Sequence, residues 1–564
     1  MKSAEMLKKL DKVLLFALFL GLVFCIYGIN WGWVEEWNPD QMGFKELFQA
    51  GKLPFNPESF QKPPFHTYFV YFLSVLPFEL IGNTLHLSAD DINPAKLLWS
   101  RMLTVFLFLG SIILVYQICK RFFGVFPARL VTIIFATSAG FISFSHFLTT
   151  EIPVMFWMLL SFYFAQNILL YGKLSDYVLA GFCTGIATAT KYNGLAIGMG
   201  IVVAHVLSLT SSSWRQWKKL LFDKKLIIGL SMVIIGFLVC NPFALLDYST
   251  FWEHFWYNYI VTPVYGGIAE GNSFGEFVVA IQEIIGFPSW LVFLLGFLFC
   301  FYSLAVDKEN HLEHKGILLL FSLFLLYYFK FGSFPRMETR FVMPIVPFGL
   351  IISGVFWTKI KVNRWLMIGL LLVILSYNLI CSFYVGKRFT EDPRMVAQEW
   401  VKTNIEKGSS IESSAYSPQF SKIPWVILTE QRMPDISGRK KKFSRLFKDN
   451  PWIMARLQWS THIRWEKEDR EEDTQWYTLE RLIDRKPDYI AVNSRYYNRF
   501  IVRLKNDYPS LYKFFSDLLE ENYPYHIVFD RESPKVPGWI YPKTIDFLKN
   551  RMVIFAKNDL TYNE

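Results

Sequence analysis

The sequence predicts a polytopic α-helical membrane protein with about eleven transmembrane helices and a C-terminal extracytoplasmic α/β domain. Three observations predict it. Apolar windows of roughly 18–22 residues, each enough to span a bilayer core, recur up to residue 386 of the 564. Lys and Arg crowd into alternate loops between those windows, the pattern of a topology signal. From Lys387 onward the composition turns polar. The chain thus divides into a membrane part, 1–386, and a soluble part, 387–564, with a long first loop over 31–96.

The expected spans lie near 12–30, 97–119, 125–145, 152–170, 177–190, 194–209, 226–243, 284–305, 316–331, 341–358 and 365–385. The basic start MKSAEMLKKLDK precedes a long apolar run without a clear cleavage site, so the first helix is read as retained. With the N-terminus in the cytoplasm, the inner loops hold Lys120, Arg121, Arg129, Lys173, Arg215, Lys218, Lys219, Lys224, Lys225, Lys308, Lys315, Lys359, Lys361 and Arg364. The outer stretch 242–286 holds no Lys or Arg at all. Counting 65–81 as a span would invert every later loop, so it is read as a Phe- and Tyr-rich helix lying in the outer interface. An odd span count then places 387–564 outside, on a plasma or inner membrane.

The net charge of +10 is spread over these loops, which argues against nucleic acid as a partner. Cys25, Cys119, Cys183, Cys240, Cys300 and Cys381 fall in or beside apolar segments without a pairing or CxxC pattern. They read as buried thiols, not a disulfide framework or thiolate metal site. Walker, GxGxxG and HExxH motifs are absent from the sequence.

Polar residues on the outer side are the exceptions that need an explanation. Asp40 follows Trp37-Asn38-Pro39, just beyond the first span, and Lys62 precedes Pro63-Pro64. Asp40 could equally cap a helix starting at Met42. Glu151 opens a span two residues before Pro153, where pairing with the helix dipole is the bland alternative. Lys191 and Tyr192 interrupt an apolar stretch, and a cation at that depth is functional or paired. Arg336 and Arg340 stand at the entry to a span, where snorkelling to the interface is the alternative. The 242–284 loop gathers Asp247, Glu253 and His254 among Trp and Tyr, which suits sugar stacking and an interfacial aromatic belt alike.

Six segments in order resemble a known superfamily. They are NPDQ at 38–41, QKPPFHTYF at 61–69, Arg101 with the helix ending in CKRFFG, HFLTTEIPVMFW at 146–157, GIATATKYNGLAIG at 185–198 and FPRMETRFVMPIVPF at 334–348. The chain resembles the GT-C glycosyltransferases that use polyprenyl-phosphate sugars, the superfamily of protein O-mannosyltransferases (family 39) and lipid A aminoarabinose transferases. Two departures stand out: Gln41 where the family usually has Glu after its Asp, and Glu151 where it often has Asp.

The resemblance implies transfer of a sugar from a polyprenyl-phosphate donor to a hydroxyl of a protein, lipid or glycan acceptor, with inversion. Asp40 is then the general base. Lys62, Arg336, Arg340 and Lys191 are the expected holders of the donor phosphate. Glu151 is the second acid, orienting the acceptor. His66, Tyr68, Tyr192, Asp247, Glu253 and His254 are expected to line the substrate. No cofactor is required on this reading, with a divalent metal left open. A different reading, a lipid-linked-sugar transporter or flippase without transfer chemistry, expects internal repeats and broken midplane helices. No obvious repeat is visible.

In the soluble part, an amphipathic helix starts at Asp392-Pro393-Arg394 and Gly408 stops it. Strands are expected at 489–492, 526–529 and 552–556, and a helix at 510–521. The basic run 439–442 and the acidic run 466–473 read as solvated faces.

Overall fold

The structure is a computed structural model. It describes residues 11–32, 37, 54–209, 222–261, 271–306, 311–361, 363–423, 426–436, 471–538 and 548–558. Asp40, Gln41, the loop cations Arg215, Lys218, Lys219 and Lys308, the basic run 439–442 and residues 466–470 of the acidic run lie outside the described residues.

Every expected span forms a helix. In chain order the long elements are α1 (Lys12–Ile26), α2 (Phe65–Leu85), α3 (Ala89–Phe123), α4 (Val125–Thr137), α5 (Ala139–Ser145), α6 (Glu151–Tyr171), α7 (Leu174–Thr190) and α8 (Tyr192–Ser208). Then follow α9 (Lys224–Cys240), α10 (Tyr248–Val261), α11 (Phe274–Ile285), α12 (Phe287–Val306), α13 (His311–Gly332), α14 (Thr339–Lys359) and α15 (Arg364–Thr390). By length and composition, seven described helices can cross a membrane, eight if the 53° bend between α4 and α5 is one span. The expected count of eleven is therefore not confirmed among the described residues. α1 has 15 residues and α7 and α9 have 17 each. At 1.5 Å per residue these are about 22–26 Å long, short of a roughly 30 Å hydrocarbon core.

One of the seven is α2, which the sequence reading laid in the interface. Its contacts fix where it sits. Arg101 of α3 donates to the carbonyls of Ile29 (2.8 Å) and Trp31, just past the end of α1. At the opposite end of α1, Tyr116 donates to Asp11 (2.8 Å), which also N-caps α1 and pairs with Arg129 (2.8 Å). Residues 101–116 of α3 thus match α1 in length, and residues 89–100 extend about 18 Å beyond it. α2 packs on that extension: Ser74 bonds Ser100 (2.8 Å), Trp99 donates to Leu73 (3.0 Å) and Lys96 pairs with Glu79 (3.7 Å).

Close packing of the remaining helices follows from small residues. In α7, Gly181 and Gly185 form a GxxxG face against α9. A Cβ on Gly181 would meet the Gly229 carbonyl oxygen at 2.0 Å, so only glycine lets the two backbones approach this way. Cations gather at the Asp11 end: Arg121 donates to Asn167 (2.6 Å) and Tyr163 (2.5 Å), Lys225 to the Gly172 carbonyl (2.7 Å), and Lys359 pairs with Glu313 (3.0 Å).

The soluble part begins with α16 (Pro393–Asn404) and holds a five-stranded sheet. Its strands are β1 (Ser410–Ser413), β2 (Thr429–Arg432), β3 (Tyr489–Asn493), β4 (Tyr525–Glu532) and β5 (Arg551–Lys557), in the order β2-β1-β3-β5-β4. β2, β1 and β3 are parallel; β5 is antiparallel to β3 and β4. The period-2 alternation of β3 sends Ile490 and Val492 to the face covered by Leu482, Phe514 and Phe515, and Tyr489 and Ala491 to the face covered by Ala397 and Val401 of α16.

Candidate active site

The Arg101 end of the helices is where the polar residues singled out from sequence converge. Glu151 is the first residue of α6 and is buried. It accepts a hydrogen bond from Lys191 Nζ at 3.0 Å. Lys191 sits where α7 stops. Its φ of −158° is extended, and the chain re-enters a tight helical turn at Tyr192. That turn needs Gly194: its N–H donates to the Lys191 carbonyl (2.8 Å), and a Cβ there would lie 2.5 Å from the Ala187 backbone. The sequence Lys-Tyr-Asn-Gly thus holds the Lys191 ammonium against Glu151.

Arg340 and Lys62 complete this locus. Both exert their charge on Glu151 and on Lys191. One cation, Lys191, therefore pairs with the buried carboxylate, and two more from other parts of the chain lie within electrostatic reach of it. Arg336 and Arg340 are bridged by Glu338, which forms an ion pair with each. Glu338 lies between them in sequence and was not singled out there; the alternation Arg-x-Glu-x-Arg was the available signal. Thr339 is tied to Glu283 (2.7 Å). Asn193, next to Tyr192, donates to the buried Tyr327 hydroxyl (2.5 Å).

Four of the residues expected to line the substrate, Tyr68, Tyr192, Asp247 and His254, bond to the segment leading to Lys62. Asn56 donates to Asp247 (2.9 Å). Tyr68 donates to the Phe55 carbonyl (2.8 Å) and Tyr192 to the Phe60 carbonyl (2.7 Å). The Phe60 N–H donates to His254 Nδ1 (3.2 Å), and Asn258 donates to the Gln61 carbonyl (2.7 Å). Phe60 itself is fully buried, edge-on to Phe251 at 5.6 Å. Lys62 remains exposed, followed by buried Pro63 and Pro64 at the start of α2. His66 is fully buried, stacked on Phe69 and within reach of the Glu151 charge, and among the described residues neither ring nitrogen has a hydrogen-bond partner. Glu253 contributes its charge beside His254 and is half-buried.

The His254 contact gives a pH-dependent prediction. Burial holds its imidazole below its usual pKa, and the negative charges of Glu253 and Asp247 oppose this only in part. The neutral ring is the form that accepts from Phe60. Between the depressed folded value and about 6.5, the unfolded chain binds the extra proton. The contribution is therefore fully present above about pH 6.5 and lost as the pH falls through the folded value. His254→Asn keeps an acceptor without a titrating ring. The Tm advantage of wild type over His254→Asn should shrink as pH falls from 7.5 to 5. A pH-independent difference would refute the assignment.

Among the described residues no group of three or more His, Cys, Asp or Glu is placed to hold a metal ion. The six cysteines are free thiols.

Residues 12–259, a little under half of the chain, match the family model described as dolichyl-phosphate-mannose-protein mannosyltransferase. The resemblance seen in the motifs therefore holds. Residues 12–259 carry the sequence pattern of that family model. No curated protein matches the chain. Among solved structures, ArnT from Cupriavidus metallidurans bound to undecaprenyl phosphate is 12% identical, with 96% of this chain and 97% of that one covered and a TM-score of 0.47. Archaeal oligosaccharyltransferase AglB from Archaeoglobus fulgidus, in complex with an inhibitory peptide and a dolichol-phosphate, is 10% identical over 91% of this chain and 72% of that one, with a TM-score of 0.42. Arabinofuranosyltransferase AftD from Mycobacteria is 12% identical over 97% of this chain and 40% of that one, with a TM-score of 0.39.

Proposed function

We propose that the chain is a membrane glycosyltransferase moving a sugar from a polyprenyl-phosphate donor to a hydroxyl acceptor on the extracytoplasmic side, with inversion. The observation that carries the reading is the 3.0 Å pair of Lys191 with buried Glu151, with Lys62 and Arg340 within electrostatic reach of both. A phosphate leaving group needs no proton, but it departs as an anion and is held by cations already in place. Arg340 offers a planar fork suited to phosphate, and Lys62 and Lys191 offer point charges. Asp40 takes the acceptor proton as the hydroxyl attacks the anomeric carbon, and Glu151 keeps Lys191 oriented and faces the acceptor side.

Sidedness rests on two supports. The cations at the Asp11 end fit a cytoplasmic face. The packing of α2 along the part of α3 that extends beyond α1 fits a helix lying over the outer interface, which preserves the loop polarity read from sequence. The 387–564 domain then lies on the same side as Asp40.

The reading predicts a missing glycan. Mass spectrometry of the cell envelope from strains with and without this gene should show one glycan modification lost on deletion, with its unmodified acceptor accumulating. A flippase would instead leave the same linkage made at lower yield, with lipid-linked donor accumulating on the cytoplasmic leaflet. An unchanged envelope sinks the proposal.

A further inference from the structure

His66 stands in the first turn of α2, just after Pro63-Pro64. That turn is wedged between the elements that supply Glu151 and Lys191. It packs on α7. The Phe65 ring meets Trp157 of α6 edge-on at 6.0 Å, and Val70 clusters with Leu103 of α3 and with Leu148, shortly before Glu151. The His66 imidazole is 0% exposed and stacks on Phe69 at 5.8 Å with 20° between the rings, which fixes its plane. It lies within reach of the Glu151 charge, and among the described residues neither of its ring nitrogens has a hydrogen-bond partner. Asn193, just past Lys191, is half in this state. Its amide nitrogen donates to the Tyr327 hydroxyl (2.5 Å), while its buried amide oxygen has no partner among the described residues. Tyr327 is buried and feels the Glu151 charge too.

An imidazole is a poor choice for filling this space. Phenylalanine has a similar shape, stacks on Phe69 as well and strands no polar atom. What the neutral imidazole adds is one N–H donor and one lone pair, the two functions that hydroxyl groups complement. The Asn193 oxygen adds a further acceptor. These groups are uncharged, whereas Lys62, Lys191 and Arg340, within electrostatic reach of the same carboxylate or paired with it, are cations. The two sets suit two parts of one ligand. Cations suit an anionic phosphate, and neutral donors and acceptors suit sugar hydroxyls. Glu151 is already held by Lys191 at 3.0 Å, so an ammonium on the sugar would have to compete for it.

We propose that His66 is a sugar-specificity residue: it hydrogen-bonds a hydroxyl of the donor sugar, with the Asn193 amide oxygen as a second contact, and selects an uncharged sugar separately from the lipid phosphate. This deepens the glycosyltransferase reading and rests on its donor, not on the identity of the base.

The test measures binding to the full-length protein in lipid nanodiscs. The probes are dolichyl phosphate, dolichyl-phosphate mannose, dolichyl-phosphate glucose and undecaprenyl-phosphate aminoarabinose. In wild type, mannose or glucose on the lipid should tighten binding about tenfold over the bare lipid phosphate, the scale of one net hydrogen bond. In His66→Phe that gain should vanish, while the bare lipid phosphate still binds within about twofold of wild type, as expected when the phosphate contacts are untouched. His66→Gln, which keeps a donor and an acceptor, should retain part of the gain. A gain that survives in His66→Phe overturns the proposal, and so does a gain with aminoarabinose alone. Equal weakening of bare and sugar-bearing lipids also overturns it, because that is the outcome for a residue that only shapes the fold. Should His66→Phe fail to fold, monodeoxy forms of the favoured sugar lipid are bound to wild type and His66→Gln. One of them should lose the gain in wild type and lose less in His66→Gln; a gain indifferent to every deoxygenation means that no hydroxyl is read. Failure of the donor reading looks different. If none of the lipids binds wild type, that reading falls and the proposal with it, whereas equal binding with and without sugar sinks the role of His66 alone.

Discussion

Asp40→Asn should lower sugar transfer about 10²–10⁴-fold, the usual contribution of a general base, with Tm within a degree or two of wild type. An acceptor hydroxyl is a weak nucleophile at neutral pH, and Asn can neither take its proton nor carry the charge that develops beside it. The substitution keeps size and hydrogen-bonding capacity, so a helix-capping role at Met42 would survive it nearly intact. Capping and catalysis therefore predict opposite results: a cap predicts normal transfer, a base predicts its collapse. The pH profile gives a second check. The acid limb of kcat/KM, set by protonation of the base in the free enzyme, should disappear in the residual activity of the variant. Transfer retained within threefold would remove Asp40 from the mechanism and leave the phosphate-holding cations without a base in the first loop.

Much of the fold was readable from the chain because bilayer helices announce themselves by length and composition. The window 152–170 became Glu151–Tyr171, and 365–385 became Arg364–Thr390. The breaks were less visible. The α4–α5 bend falls at Ser138, in extended conformation, where the Ser138 hydroxyl donates to the Ile134 carbonyl (2.6 Å) and takes over part of the lost helical bonding. Hydropathy sees only an unbroken apolar stretch there. In the soluble part the strands at 489–493, 525–532 and 551–557 follow from their β-branched and aromatic runs. β1 and β2 read Ser-Ile-Glu-Ser and Thr-Glu-Gln-Arg and carry no such signal. They form strands because Ile411 pairs with Tyr489 of the parallel neighbour and Glu412 is buried against Arg485, contacts that local pattern does not encode.

The site divides in the same way. Lys62, Glu151, Lys191, Arg336 and Arg340 stood out as charges in apolar surroundings, and the fold pairs Lys191 with Glu151 and brings Lys62 and Arg340 within electrostatic reach of that pair. Their division of labour was not legible. Tyr68, Tyr192, Asp247 and His254 look like sugar-binding residues by type, and each is also bonded to the 55–61 segment. The partners that decide this are backbone groups, which a sequence displays identically everywhere. Asp392 and Arg394 were read as a helix start, which they are. That the same pair reaches Trp31, 361 positions earlier in the chain, is a tertiary fact.

The Glu151–Lys191 pair tests whether those cations work or merely pack. Lys191→Met leaves the buried carboxylate of Glu151 without its 3.0 Å partner and should cost about 3–5 kcal/mol of stability, the range for stripping one member from a buried pair. Glu151→Gln should cost less, because the Lys191 side chain, 21% exposed, keeps some access to solvent. The double variant Glu151→Gln/Lys191→Met removes both charges and should recover most of the stability lost in Lys191→Met, giving a coupling energy of about 2–3 kcal/mol in the cycle, near the upper end for groups in contact. Activity should not recover with it. If Lys191 stabilises the departing phosphate, the double variant folds like wild type and still transfers sugar at least 100-fold more slowly, the scale seen when one preorganised charge-stabilising donor is removed. If the pair is only a brace between α6 and α7, stability and transfer return together. A double variant with both restored would confine the phosphate-binding role to Lys62 and Arg340.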